Sequence, residues 1–285
     1  MGDYDVFHTV AWPSAYAWYF FAIGISSAMF LFSGLSWFKD TFKPLRMTGA
    51  LISLALLVLS GILLIGDLSQ PGRFWHVINP GYWNMTSPLV WGSILLMAFG
   101  VVSILHLQMI RTNNEATGRL LACIGIALAI GLPTYTGFDL SIHQHRPVWN
   151  SSLMAPLAVA LSLISGGAVA SFLARGNEAL MGALRQIMLW SAVAVLVMLI
   201  SVMVTTAYGD SASELTYYLF LTGTMGFAFV VLGVLAGTVA PLAILLAPFG
   251  RTQGGLMIAG ALILVGGAAL RYAIMVAPQI VHTYY

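Results

Sequence analysis

Charge is the scarcest component of this chain. Asp, Glu, Lys and Arg make up 7% of its 285 residues, against about 25% in an average soluble domain. That excludes an ordinary water-soluble globule. The 60% hydrophobic content and mean hydropathy of +0.93 point instead to a polytopic membrane protein. The single cysteine, Cys123, excludes an internal disulfide. It also excludes an iron–sulfur cluster held by this chain alone, which takes about four thiolates. Cys123 lies in an apolar run and reads as a small packing residue rather than a reactive thiol. No basic stripe or recognition motif suggests a nucleic-acid partner. Glycine-rich phosphate loops, nucleophile elbows and zinc motifs are also lacking. Of the histidines His8, His76, His106, His143, His145 and His282, only His106 falls inside an apolar run. No in-span pair exists to hold a b-type haem, so no haem is expected. His143 and His145 lack a third ligand nearby, so no metal site is expected either. Residues 1–9 contain no Lys or Arg, and the apolar run after them is too long for a signal peptide. It reads as a retained first span.

Spans need roughly 20 apolar residues each. The pattern predicts an all-α membrane protein with eight of them, at 12–37, 47–66, 88–110, 119–140, 152–174, 182–206, 215–240 and 253–276. Residues 1–285 form one polytopic domain in this reading, with no inserted soluble module. The seventh span continues past Pro241 to Pro248, which suits either a long tilted helix or a kinked one. Lys39, Lys43, Arg46, Arg111, Arg119, Arg175, Arg185 and Arg251 fall in the loops after spans 1, 3, 5 and 7. The opposite loops hold only Arg73 and Arg146. Basic residues stay inside, so both termini and the loops 67–87 and 141–151 are expected on the outer, periplasmic side.

Those two outer loops carry most of the polar chemistry. Each runs through Trp-Asn into Thr or Ser before a helix, at Trp83 to Ser87 and at Trp149 to Ser152. The hydroxyl residues are candidate helix caps. The likeness reads either as a weak internal repeat of helix hairpins or as two similar caps with interfacial tryptophans. Loop 67–87 is aromatic and amphipathic, which suits docking under a partner or an ordinary interfacial belt.

Ionisable groups inside spans are costly and invite functional hypotheses. Asp67 and Asp139 end spans 2 and 4, and Arg271 sits in the last span nearer its outer end. Arg271 is expected to pair with one of these carboxylates, either in a pocket or proton path or simply to lock helices together. Tyr135 and Asp139 share a helix face at i,i+4, and His143 continues the stripe if the helix persists. A phenol, a carboxylate and an imidazole in a row, with His145 beyond, can bind a quinone carbonyl and carry away its proton. The same residues also make a capped helix end with solvated histidines. Tyr16 and Tyr19, in the aromatic start of span 1, share a face at i,i+3 and could line a pocket.

Several blocks resemble the NrfD-like family, to which the membrane subunit of polysulfide reductase belongs. They are Pro71-Gly72-Arg73-Phe74, Thr86-Ser87-Pro88-Leu89-Val90-Trp91-Gly92, Tyr135 followed by Arg146-Pro147-Val148-Trp149-Asn150, and Leu270-Arg271-Tyr272. The resemblance implies a haem-free anchor in a bacterial or archaeal inner membrane. It implies a menaquinol site near the outer face, contacted by Tyr135. It also implies an iron–sulfur partner docked on the loops 67–87 and 141–151, with a molybdopterin catalytic subunit beyond it. The family's first-span quinone contacts are an asparagine and a histidine, where this chain has Tyr16 and Tyr19.

Taken together, the expected function is electron exchange between menaquinol and a partner iron–sulfur subunit of a respiratory oxidoreductase. The rivals are a transporter or channel and a purely structural anchor. A transporter would place broken spans and polar groups near mid-membrane, whereas the ionisable groups here gather toward one face.

Overall fold

The computed structural model describes residues 12–66, 68, 70–143 and 146–280. Among the described residues, eight helices are long and apolar enough to cross a membrane. They are α1 (Ala15–Leu35), α2 (Arg46–Gly66), α3 (Pro88–Thr112), α4 (Glu115–Ser141), α5 (Met154–Leu173), α6 (Glu178–Ala207), α8 (Gly223–Leu246) and α9 (Gln253–Ile280), with a short α7 (Ser211–Leu221) before α8. No strand occurs among the described residues. The chain is therefore a multi-pass, all-helical membrane protein.

Helices α1 to α4 pack together around Tyr19, Ile23, Phe30, Leu57, Phe99 and Leu132. Helices α5, α6, α8 and α9 pack around a second core that includes Leu157, Leu161, Val195, Phe229 and Leu270. Helices α1, α4, α5 and α9 make the contacts between the two groups. Of the spans, α1 is the most buried and α3 the least. Lipid gives no hydrophobic drive between helices, so close approach depends on small residues. A Cβ on Gly137 would strike the backbone of Met154 and Ala155 in α5, and one on Gly237 would strike the backbone of Gly266 in α9. Buried serines supply cross-links. Ser26 Oγ donates to the Ser53 carbonyl over 2.7 Å, joining α1 to α2.

The seventh span differs from the expected 215–240. It divides into α7 and α8 because Thr222 is extended and Gly223 takes a left-handed φ of +61° that glycine alone adopts cheaply. From Phe227 to Val239 the helix is wound wider, as a π-helix. Thr238 Oγ accordingly donates to the Gly233 carbonyl five residues back. The expected caps also differ. Ser87 makes no side-chain cap bond; its backbone carbonyl accepts from the Val90 N–H over 3.2 Å. Asn84 braces that turn instead, accepting from Thr86 N–H and its hydroxyl. On α5 the cap position is Leu153, and Ser151 Oγ accepts from its N–H. Cys123 is exposed on the outward face of α4 rather than packed.

Candidate functional site

Pro133 lies inside α4, and the helix continues through it to Ser141. The end of α4 thus carries Tyr135 and Asp139 on one face. Asp139 is buried, at 5% exposure, with the Tyr135 hydroxyl as its side-chain hydrogen-bond partner. A buried carboxyl needs such a partner because water cannot supply one. His143 lies just past the helix end but keeps the i+4 spacing. Its Nδ1 donates to the Asp139 carbonyl over 2.9 Å. A carbonyl only accepts, so Nδ1 carries a proton.

The seat of Tyr135 lies on α3. A Cβ built on Gly92 would overlap Cε1, Cζ and Oη of Tyr135. The phenol ring therefore rests directly on the α3 backbone. The absence of a side chain on Gly92 makes room for it.

Helix α1 supplies the other wall. Tyr16 and Tyr19 meet edge-on, with ring centroids 6.4 Å apart. Tyr19 is buried; both tyrosines lie within electrostatic reach of Tyr135, and Tyr19 also of Asp139. Ala15, Tyr16, Tyr19, Leu63 and Leu64 line a narrow crevice between α1 and α2. The structure thus brings Tyr16, Tyr19, Tyr135, Asp139 and His143 into one cluster. Asp67 and His145, the other carboxylate and histidine expected at the site, lie outside the described residues.

An aromatic roof covers the cluster. Trp12 stacks on Tyr16 at 4.9 Å and meets the rings of His143 and Trp149 at 5.1 and 5.7 Å. Trp149 is fully buried, and its Nε1 donates to the Ile274 carbonyl over 2.7 Å. Val148, the residue before it, holds φ at +68°, a costly conformation for a β-branched residue. Arg146 is buried, and its Nη1 donates to the Pro278 carbonyl over 3.3 Å. That burial lowers its pKa below the usual guanidinium value. The Arg146 to Asn150 motif is thus docked onto the end of α9. Gln279 of α9 in turn holds Trp12, accepting from its N–H at 2.7 Å and donating to its carbonyl at 2.9 Å.

Arg271 does not meet the expectation of an ion pair with Asp139. Its Nη1 donates to Ser165 Oγ and to the Gly267 carbonyl, and its guanidinium lies over Phe21. Asp139 sits on the α4 face toward α1 and α3, whereas Arg271 faces α5. Among the described residues no carboxylate comes within ion-pairing distance of it.

A polar group that spacing did not reveal sits near the other ends of α1 and α3. His106 Nε2 is 3.1 Å from Ser33 Oγ, which bonds the Arg46 carbonyl. The Arg46 side chain donates to Ser36 and lies 4.2 Å over Trp37. A histidine, an arginine and serines on different helices give no periodic signal. Among the described residues no three His, Cys, Asp or Glu gather as metal ligands.

Phenol donors, a carboxyl acceptor, a titratable imidazole and apolar walls fit a cyclic diketone or its diol. Loop 67–87 forms two short turns, Pro71–Ile78 and Pro80–Tyr82. Trp75 and Tyr82 are exposed there, at 62% and 63%.

Comparison with known proteins agrees in kind. The family model described as "Polysulphide reductase, NrfD" matches residues 5–282. A polysulfide reductase polypeptide of Wolinella succinogenes is 26% identical over an alignment of 314 positions, covering 98% of this chain and 97% of that protein. A tetrathionate reductase subunit of Salmonella typhimurium is 30% identical over 162 residues, 54% of this chain and 46% of that one. A putative dimethyl sulfoxide reductase membrane subunit of Halobacterium salinarum is 23% identical over 168 residues, 50% and 38% respectively. The matched region is thus less than half of two of these relatives and nearly all of the third.

Proposed function

The chain belongs to the polysulphide reductase NrfD family, and on that premise we propose that it is the quinol-reacting anchor of a respiratory reductase complex. It exchanges electrons between menaquinol and an iron–sulfur partner, through which a molybdopterin subunit is served. The observation that carries the reading is the convergence of Tyr16 and Tyr19 of α1 with Tyr135 and Asp139 of α4 beside an apolar cleft. The ionisable groups of this cluster lie at one end of the spans, which favours a quinone site over a transport path.

When bound, the quinol supplies electrons and protons together. Tyr135, its ring fixed against Gly92, offers a hydroxyl to the ring oxygen. Asp139 accepts the proton, and His143, one turn further on, passes it outward, with His145 as the next group along the chain. Tyr16 and Tyr19 close the opposite side. As it stands the crevice is too narrow to hold even a water molecule. Leu63 and Leu64 therefore move aside when a ring enters.

The exposed aromatics of loop 67–87 and the loop 141–151 are the docking face for the iron–sulfur partner. Charge is expensive to bury without a counter-charge. The Trp75→Asp variant should therefore release the partner on purification in mild detergent, while quinol-analogue binding to the chain persists. Retention of the partner by that variant, together with no binding by the wild type, would leave a structural anchor elsewhere on the protein.

The lysine and arginine bias places both termini and this docking face on the outer side of a bacterial or archaeal inner membrane, around one polytopic domain. Reporter fusions after Tyr285 and after Arg111 should report opposite faces. The same face for both would exclude the eight-span order.

A further inference from the structure

A second cavity, of about 460 Å³ including its mouth, lies between α1, α4, α5 and α9. Its walls are apolar apart from Thr136, Ser162 and Arg271. Arg271 is 93% buried, being 7% exposed, and its Nη2 has no hydrogen-bond partner. That nitrogen sits beside Ser162 in the room that Gly24 leaves. A Cβ on Gly24 would come within 3.1 Å of Nη2 and 2.6 Å of Ser162 Oγ.

From this we propose that the cavity binds the carboxylate end of a single long acyl chain, at a site separate from the tyrosine cluster. A guanidinium stays charged at any physiological pH. Held away from water, it has among the described residues neither a counter-charge nor an acceptor for Nη2. The two hydroxyls on the wall do not compete for the ligand. Ser162 Oγ donates to the Ala158 carbonyl and Thr136 Oγ to the Pro133 carbonyl. Arg271, which lines the cavity while its Nη2 is buried at Gly24 without a partner, is then the cationic donor of the wall, and its charge selects an oxyanion.

The same wall excludes a second quinol-oxidising site. Among the described residues no carboxylate, imidazole or phenol lines the cavity to take a proton. Size and shape narrow the ligand further. From Ser162 to Met154, the first residue of α5, the wall rises by eight residues, or about 12 Å. The wall over that length includes Leu157, Leu161 and Ile274. This suits one acyl chain and leaves no room for a two-chain phospholipid.

The probe is radiolabelled oleate, offered to the purified full chain in mild detergent, with its methyl ester and phosphatidylglycerol as comparators. Oleate should bind saturably, one per chain, and the ester about tenfold more weakly or worse, because it cannot bring the counter-charge. Arg271→Gln should weaken oleate by a similar factor, and Arg271→Lys should restore part of it. Ala158→Phe fills the cavity and leaves the guanidinium in place. It should abolish binding with the thermal unfolding temperature unchanged. The acid-versus-ester comparison needs no variant, so the proposal stays testable if Arg271→Gln fails to fold. Equal binding of acid and ester would overturn it, as would purely non-saturable uptake. So would full displacement of oleate by phosphatidylglycerol at equal concentration, which would make this a lipid-phosphate site. Unchanged oleate binding in Ala158→Phe would place the acid elsewhere.

Discussion

Gly92→Ala is expected to lower quinol turnover by about a hundredfold, the order of loss that a misplacement of roughly 1 Å causes in a positioned group. The added methyl would overlap the ring and hydroxyl of Tyr135. A tyrosine ring is the far end of a rotatable side chain, so it can swing clear and the helices need not part. The fold should survive, and partner-side activity with an artificial electron donor should stay near wild type. The same change at Gly137 gives the control. There the methyl would meet the Met154 and Ala155 backbone, which cannot rotate away. Overpacking of that kind costs about 1–3 kcal/mol and should appear as a lower unfolding temperature. Turnover at wild-type level in Gly92→Ala, with Tyr135 displaced, would remove Tyr135 from the site.

Tyr135→Phe should lower quinol affinity or turnover by roughly threefold to tenfold, since one net hydrogen bond contributes about 0.5–1.5 kcal/mol. The ring keeps its place against Gly92, so only the hydroxyl is lost. The substitution also takes away the partner of a buried carboxyl, so the effect should lie toward the upper end. Asp139→Asn acts differently. It keeps the volume and can still bond Tyr135, but it no longer accepts a proton. Turnover should fall while the half-saturating quinol concentration changes little. Wild-type kinetics in both variants would reduce the stretch from Tyr135 to Asn150 to a helix end. The contrast between a loss in affinity and a loss in rate distinguishes a group that holds the ring from one that moves a proton.

The eight spans were legible because each is a long apolar run, and hydrophobic length is a property of the sequence itself. The stripe of Tyr135, Asp139 and His143 was legible for a similar reason: residues four apart share a helix face wherever the helix packs. The break at Thr222 and Gly223 was not, since both lie within an apolar run and the break depends on a backbone angle. The bonds from Arg271 to Ser165 and Gly267 were not legible either, since a buried cation suggests a carboxylate; Asp139 is not its partner, and Asp67, the other one expected, lies outside the described residues. The role of Gly92 as a seat was hidden as well. Its neighbour Tyr135 is on the next helix, and nothing in the order of residues announces which glycine faces which ring. The cross-helix set of His106, Ser33 and Arg46 escaped for the same reason.

Gln279 grips both backbone groups of Trp12, so the start of the first span and the end of the last lie side by side. The two ends of the described bundle meet, so the point at which the chain opens is a matter of connectivity rather than of packing. Joining those ends with a short linker and cutting at the exposed turn of Arg175 and Gly176, where Gly176 already holds φ at +74°, would give a circular permutant. Its spans would run in their present directions, but both free tails would emerge on the opposite side of the membrane. A fusion partner could then be carried on the face away from the docking loops.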